Sequence, residues 1–324
     1  MHHARLSLGG AIPALATPFR PGDGALDAAA LARLAERAVS RGAAGVVVCG
    51  STGEAAAMTP DEQSRALHAV AEAVGHRVPV IAGATATGTA AAIALATAAE
   101  ACGATALLCA APPYLRPSQE GLRAHLRAVA GACGLPVILY DVPARAGVRF
   151  EDATITRLFE EGVIAAIKDA TADLTRPLAL RRLCGAELPQ LSGDDATALA
   201  HRAAGGAGCI SVTANLVPGL CAALQQAWDE QEIERARQLQ DWLFPLHQAL
   251  FAESNPGPVK AALGLLGLCD ATPRLPLLRA GEATRAALHE ALQGLMPMED
   301  ALARRRQAPR PARAAVLPAA WLPG

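Results

Sequence analysis

Residues 105–140 read TALLCAAPPYLRPSQEGLRAHLRAVAGACGLPVILY. The two ends, 105–110 and 136–140, are short and almost continuously apolar, while the middle, 119–132, spaces Leu122, Leu126 and Val129 three and four residues apart. An apolar run without alternation suits a strand covered on both faces, and the middle spacing suits a helix with one buried stripe. Strand, helix and strand in that order predict a parallel pair joined by a right-handed crossover.

The same pattern extends in both directions. Short apolar runs recur at 11–17, 45–49, 79–83, 163–168, 188–192 and 209–212, which makes eight, and helical spacing fills 26–40, 60–74 and 89–101. Thr59, Pro60 and Glu62 have the order of an N-cap, a proline at the first helical position and a capping box. Eight strand-then-helix units predict an α/β fold closed as a (β/α)8 TIM barrel, residues 1–224. A doubly wound open sheet is the alternative, but its G-x-G-x-x-G turn is missing after the first strand, where Ala16-Thr17-Pro18-Phe19 stands. Residues 225–295, purely helical with breaks marked by Pro245, Pro256 and Pro258, read as a C-terminal helical subdomain. Residues 296–324, with Arg304, Arg305, Arg306, Arg310 and Arg313 among Pro and Ala, read as a disordered tail.

Composition narrows the function classes. The 324 residues are 52% hydrophobic and 18% charged with a net charge of −1, which gives enough apolar surface for a packed core and no basic footprint for nucleic acid. The chain lacks a charged-then-apolar leader and an apolar run of about 18 residues, so a cytoplasmic protein without membrane contact is expected. Eight cysteines without a C-x-x-C pair, and without a His at ligand spacing, read as buried reduced thiols rather than disulfides or a metal site. His2 and His3 read as part of a flexible terminus.

Of the 29 basic residues only Lys168 and Lys260 are lysine, and Tyr114 and Tyr140 are the only tyrosines. An amine can attack a carbonyl, as a guanidinium cannot. In a (β/α)8 barrel, sites form at the carboxyl ends of the strands, where this sequence places Ser51-Thr52, Tyr114, Tyr140, Arg145, Lys168, Gly193 and Ile210. Lys168 ends an apolar strand, where desolvation disfavours the ammonium form. It therefore reads as a Schiff-base nucleophile, or else as an ion-pair partner of Asp169. Lys260, in the helical region, reads as structural. Gly50-Ser51-Thr52-Gly53, between a strand and a helix, suits a carboxylate or phosphate, though it also serves as an ordinary turn. Tyr140 reads as a proton relay with Thr52 or as a buried tyrosine bonded to backbone. Arg145 is a candidate clamp for a carboxylate.

The blocks GSTGE (50–54), PPYLRPSQEG (112–121), LYDVPARAG (139–147), IKDAT (167–171), LSGDD (191–195) and ISVTAN (210–215) resemble the signature blocks of the 4-hydroxy-tetrahydrodipicolinate synthase family, also called dihydrodipicolinate synthase. The resemblance runs in order over about residues 10–290 and includes Asn255-Pro256-Gly257-Pro258-Val259-Lys260. It implies a class I aldolase-type lyase that holds pyruvate as a Schiff base on Lys168 and condenses it with L-aspartate-4-semialdehyde, opening lysine and diaminopimelate synthesis, with no metal or organic cofactor. By resemblance, Ser51 and Thr52 hold the pyruvate carboxylate, and Thr52, Tyr140 and Tyr114 relay protons. Tyr114 would come from a neighbouring subunit in a homodimer or dimer of dimers. Arg145 would bind the semialdehyde carboxylate, with Gly193 and Ile210 lining the lysine through backbone groups.

Three departures qualify the resemblance. Ser51 replaces the more usual Thr, as in the sialic-acid lyase branch, whereas Arg145 favours the synthase. Asp141 stands where Asn is common. Ala55, Pro60, Gln63, Thr87, Ala91 and Pro113 occupy the feedback-site positions and offer few partners for lysine, so inhibition by lysine is expected to be weak or absent. A pyruvate-dependent aldolase acting on a sugar acid and a catalytically silent binding barrel remain alternatives.

Overall fold

A computed structural model describes residues 8–307. Its eight strands are β1 (Gly10–Pro13), β2 (Val46–Val48), β3 (Val80–Gly83), β4 (Ala106–Ala110), β5 (Val137–Asp141), β6 (Ala166–Asp169), β7 (Gln190–Ser192) and β8 (Gly208–Ser211). They pair parallel in the order β1-β8-β7-β6-β5-β4-β3-β2, and a parallel bridge between Ala14 and Val47 brings the first strand back to the second. The predicted (β/α)8 barrel is therefore present, and each strand overlaps an apolar run of the sequence.

Helices α1 (Ala28–Ser40), α2 (Pro60–Val74), α3 (Thr89–Ala101), α4 (Gln119–Ala130), α5 (Pro143–Ala146), α6 (Asp152–Glu160), α7 (Arg176–Cys184), α8 (Ala198–Ala203) and α9 (Pro218–Asp229) follow the strands around the barrel. The capping box forms as read. The Thr59 hydroxyl accepts from the Glu62 N–H at 3.2 Å, and the Glu62 carboxylate accepts from the Thr59 N–H at 3.0 Å. Leu122, Leu126 and Val129 of α4 are all fully buried, as their spacing requires.

Strand alternation divides the core. Ile138, Tyr140, Ala166, Leu191 and Ile210 cluster in the barrel interior, whereas Leu139 and Ile167 pack in the layer between strands and helices. All eight cysteines are free, four of them buried.

The C-terminal part comprises α10 (Ile233–Leu250), α11 (Gly257–Leu265) and α12 (Glu282–Gln307). Three sequence expectations change here. Pro245 lies inside α10 and ends nothing. The boundary expected after residue 224 falls within α9, whose apolar face is buried along most of its length. Residues 296–307, expected to belong to the disordered tail, are helical instead, because α12 continues through Pro297 to Gln307. Glu299 supplies the reason. Its buried carboxylate accepts from the Gly219 and Leu220 N–H groups at the start of α9 (3.0 and 2.9 Å) and pairs with Arg41 at 3.0 Å. A helix N-terminus is a favourable place for that charge. His2, His3, Arg310 and Arg313 lie outside the described residues.

Candidate active site

Register brings together a lysine and a tyrosine, each of a type that occurs only twice in the chain. Tyr140 of β5 is the strand partner of Lys168 of β6, and both share the inward parity of Ile138 and Ala166. The Lys168 amine stands 4.1 Å from the centre of the Tyr140 ring. Lys168 is only 6% exposed, and among the described residues no carboxylate comes within ion-pair distance of it.

Asp169, the alternative partner, is turned to the other face by strand alternation. Its Oδ1 accepts from the backbone and hydroxyl of Thr171 at 2.8 and 2.6 Å and lies 3.9 Å from Arg176. The ion-pair reading of Lys168 is thereby overturned.

Behind Tyr140 and Lys168, Arg176 ties the ends of β5 and β6 together. It donates to the Asp141 carboxylate (2.5 Å), to Asp152 (3.1 Å) and to the Phe150 carbonyl (2.6 Å). Burial raises the Asp141 carboxyl above its ordinary value against the pull of Arg176. Burial also opposes the Arg176 charge, but Asp141 and its neighbours outweigh that and hold the guanidinium above its usual range. The acid in place of the more usual Asn thus has a counter-charge, which the sequence did not reveal.

The loop after β2 carries Ser51 and Thr52. Thr52 is buried and its hydroxyl accepts from Asn255 Nδ2 at 2.9 Å. The Asn255 carbonyl in turn accepts from Arg145 Nη2 at 3.0 Å, so one residue between α10 and α11 joins two of the expected site residues. Gly193 has no room for a side chain, since a Cβ there would lie 3.0 Å from Lys168 Cε, and its N–H donates to the Asp169 carbonyl at 2.6 Å. Ile210 is buried in the barrel interior with Leu191 and Tyr140.

Above these groups opens a cavity of about 420 Å³ whose wall includes Ser51, Tyr140, Arg145 and Asn255. Lys168 and Thr52 are not themselves on that wall. They stand directly behind it, in contact with Tyr140 and Asn255. Cys49 also reaches the cavity, but burial pushes its thiol up to about 12, which leaves it a poor nucleophile. Tyr114 is placed differently: it is 91% exposed, on a loop where it and Arg116 both have left-handed backbone (φ 75° and 46°). Such strain in non-glycine residues gathers at functional sites.

The sequence reading missed Asn255 as a site residue, although it noted the Asn255–Lys260 stretch (255–260). It also assigned no role to Glu54, whose buried carboxylate receives Lys260 Nζ at 2.6 Å.

A closed parallel barrel with a nearly buried lysine amine at the carboxyl end of a strand is consistent with a class I aldolase-type lyase. Within that class the chain belongs to the Dihydrodipicolinate synthetase family, whose family model matches residues 7–295. It is 47% identical over 286 residues to the 4-hydroxy-tetrahydrodipicolinate synthase of Acidiphilium cryptum (strain JF-5), covering 88% of this chain and 98% of that protein. Among solved structures it is similar to the 4-hydroxy-tetrahydrodipicolinate synthase of Methylacidiphilum fumariolicum SolV, with a TM-score of 0.87 and 36% identity over 93% of this chain and 100% of that one. It is also similar to the chloride-inhibited dihydrodipicolinate synthase of Acinetobacter baumannii complexed with pyruvate, with a TM-score of 0.85 and 39% identity over 88% of this chain and 98% of that one.

Proposed function

We propose that this enzyme condenses pyruvate with L-aspartate-4-semialdehyde to 4-hydroxy-tetrahydrodipicolinate, the first committed step of lysine and diaminopimelate synthesis. The observation that carries the reading is the Lys168 amine, nearly buried, set against the Tyr140 ring and free of any carboxylate among the described residues. An amine that is not tied up in an ion pair is available to attack a ketone carbonyl.

In the proposed reaction the Lys168 amine adds to the pyruvate carbonyl carbon, and loss of water gives the imine. The imine draws electrons from the methyl group, which loses a proton to form the enamine. The enamine carbon then attacks the aldehyde, and the product cyclises and leaves the lysine. Ser51 and Thr52 hold the pyruvate carboxylate, and Thr52 and Tyr140 pass protons. Arg145, on the cavity wall and anchored through Asn255, binds the carboxylate of the second substrate in a bidentate contact. Gly193 and Ile210 keep the lysine chain in place.

Tyr114 completes the relay from a second copy of the chain. Its exposure and strained backbone fit a residue that makes its contacts across an interface. The working unit is then a homodimer or a dimer of dimers, acting in the cytoplasm. No helix among the described residues is long and apolar enough to cross a membrane.

Borohydride reduction in the presence of pyruvate, followed by intact and peptide mass measurement, tests the first half. The expected result is an adduct on Lys168. Turnover of aspartate-4-semialdehyde beside a panel of sugar aldehydes tests the second half. Preference for a sugar aldehyde would replace the synthase reading with that of a related aldolase, and no adduct with any ketoacid would sink both.

A further inference from the structure

Glu54 and Lys260 are 206 positions apart in sequence, yet form a fully buried ion pair, each side chain 0% exposed. Burying two charges is unfavourable unless each is well satisfied, so a pair of this kind is poor evidence of stability for its own sake. Its location is more informative. Glu54 follows Thr52 by two residues, in the loop assigned to the pyruvate carboxylate. One carboxylate oxygen takes the Lys260 ammonium, and the other takes the Arg274 backbone N–H at 2.7 Å.

The loop needs such a restraint. Cys49 and Glu54, at its two ends, are non-glycine residues in left-handed backbone (φ 56° and 55°), a conformation that persists only where surrounding contacts over-determine it. Between them, the Thr52 hydroxyl is fixed by Asn255 and the Gly53 carbonyl by the Thr17 hydroxyl at 2.6 Å. Lys260 and Arg274 also lie over the ring of Phe19, at 4.2 and 4.0 Å. Arg274 reaches the Ala57 and Gly24 carbonyls at 2.8 and 2.9 Å. The segment from Asn255 to Arg274 therefore grips the loops that follow β1 and β2.

We infer that the Glu54–Lys260 pair is a positioning device for the known reaction: it holds Ser51 and Thr52 in the arrangement that receives the pyruvate carboxylate, so that ketoacid capture depends on the C-terminal helices. The inference rests on the proposed function. Neither residue is on the reaction path, and Lys260 acts through Glu54 and the loop.

The test uses the full-length protein with Lys260→Met, Glu54→Gln and the double variant, each checked for folding by circular dichroism. Because the loop holds the ketoacid carboxylate and supplies the Thr52 hydroxyl of the proton relay, each folded single variant is expected to raise KM for pyruvate and to lower kcat, each by about tenfold or more, since small misplacements of positioning groups have effects of that size. At saturating pyruvate, KM for the aldehyde should change by less than about threefold, and the double variant should be no worse than the worse single one, as expected when two residues form one device. If Lys260→Met does not fold, the same split in Glu54→Gln decides. An unchanged pyruvate KM overturns the inference, as does an aldehyde KM that rises as much as the pyruvate KM, or effects that add. Pyruvate trapping on wild-type Lys168 separates the two levels: no adduct means that the function reading has failed, whereas an adduct with an unchanged variant KM removes only the positioning role.

Discussion

The two lysines of this chain occupy environments that are alike in most respects. Both are almost wholly buried, at 6% and 0% exposure, and both amines lie against an aromatic ring, Lys168 on Tyr140 at 4.1 Å and Lys260 on Phe19 at 4.2 Å. What separates them is a carboxylate. Lys260 has Glu54 at 2.6 Å, whereas the acid beside Lys168 in sequence points to the opposite face of the strand, toward Thr171 and Arg176. Burial and ring contact are therefore common to both amines, and the carboxylate partner is what differs. Even with Glu54 present, burial holds the Lys260 amine below its ordinary value, so the pair is a compromise between desolvation and attraction.

The comparison can be broken most directly at Lys168. Lys168→Met should abolish pyruvate trapping and lower turnover by about 10⁴-fold or more, while changing stability by less than about 1 kcal/mol because no ion pair is lost. Comparable loss of stability and activity would mean that the two lysines are not different in kind. The converse variant, Lys260→Met, should cost about 3–5 kcal/mol in denaturant titration, because Glu54 is left buried and unpaired.

Tyr114 extends the contrast to a residue with almost no burial. Tyr114→Phe should slow turnover by about 10²-fold, the usual scale for loss of a proton-transfer group, and leave the melting temperature of the protomer unchanged. Wild-type turnover in that variant would remove Tyr114 from the relay.

A smaller effect concerns the clamp around Lys260. The Arg274 guanidinium holds Glu62 down to about 2, well under its ordinary 4.5. A carboxyl depressed in the folded state stabilises above its unfolded value, and that contribution disappears as pH falls from about 4.5 toward about 2. Melting curves across this range should show wild type losing stability relative to Glu62→Gln; parallel curves would mean that the Arg274 contact contributes nothing.

The weakest expected response is to lysine. Gln63, one of the few polar groups at the feedback positions, already donates to the Ala55 carbonyl at 3.0 Å. Half-maximal inhibition should need more than a millimolar of lysine, and tighter inhibition would overturn the expectation.

Much of the fold follows from local regularities. Apolar runs and three-four spacing located all eight strands and the principal helices, and with them the ends of β5 and β6 that carry Tyr140 and Lys168; their shared inward face came from the register. Side-chain alternation and helical periodicity are properties of neighbouring residues, so they can be read from the chain itself. The rule that barrel sites gather at the carboxyl ends of strands then named Ser51, Thr52, Arg145 and Gly193 as candidates, and Ser51 and Arg145 line the cavity.

The remaining contacts join residues that periodicity cannot relate. Glu299 carries α12 past Pro297 because it meets the start of α9, 80 positions away. Asn255 links Thr52 to Arg145 across 203 and 110 positions. Arg176 satisfies Asp141, and Lys260 satisfies Glu54. Each is a charge or amide whose burial is tolerable only once the whole chain has closed around it, and the partner that compensates it is chosen by proximity in space. The sequence by itself determined the barrel and which amine stands at its mouth. Only the tertiary structure decided which lysine lacks a counter-charge, because that depends on where every distant carboxylate comes to rest.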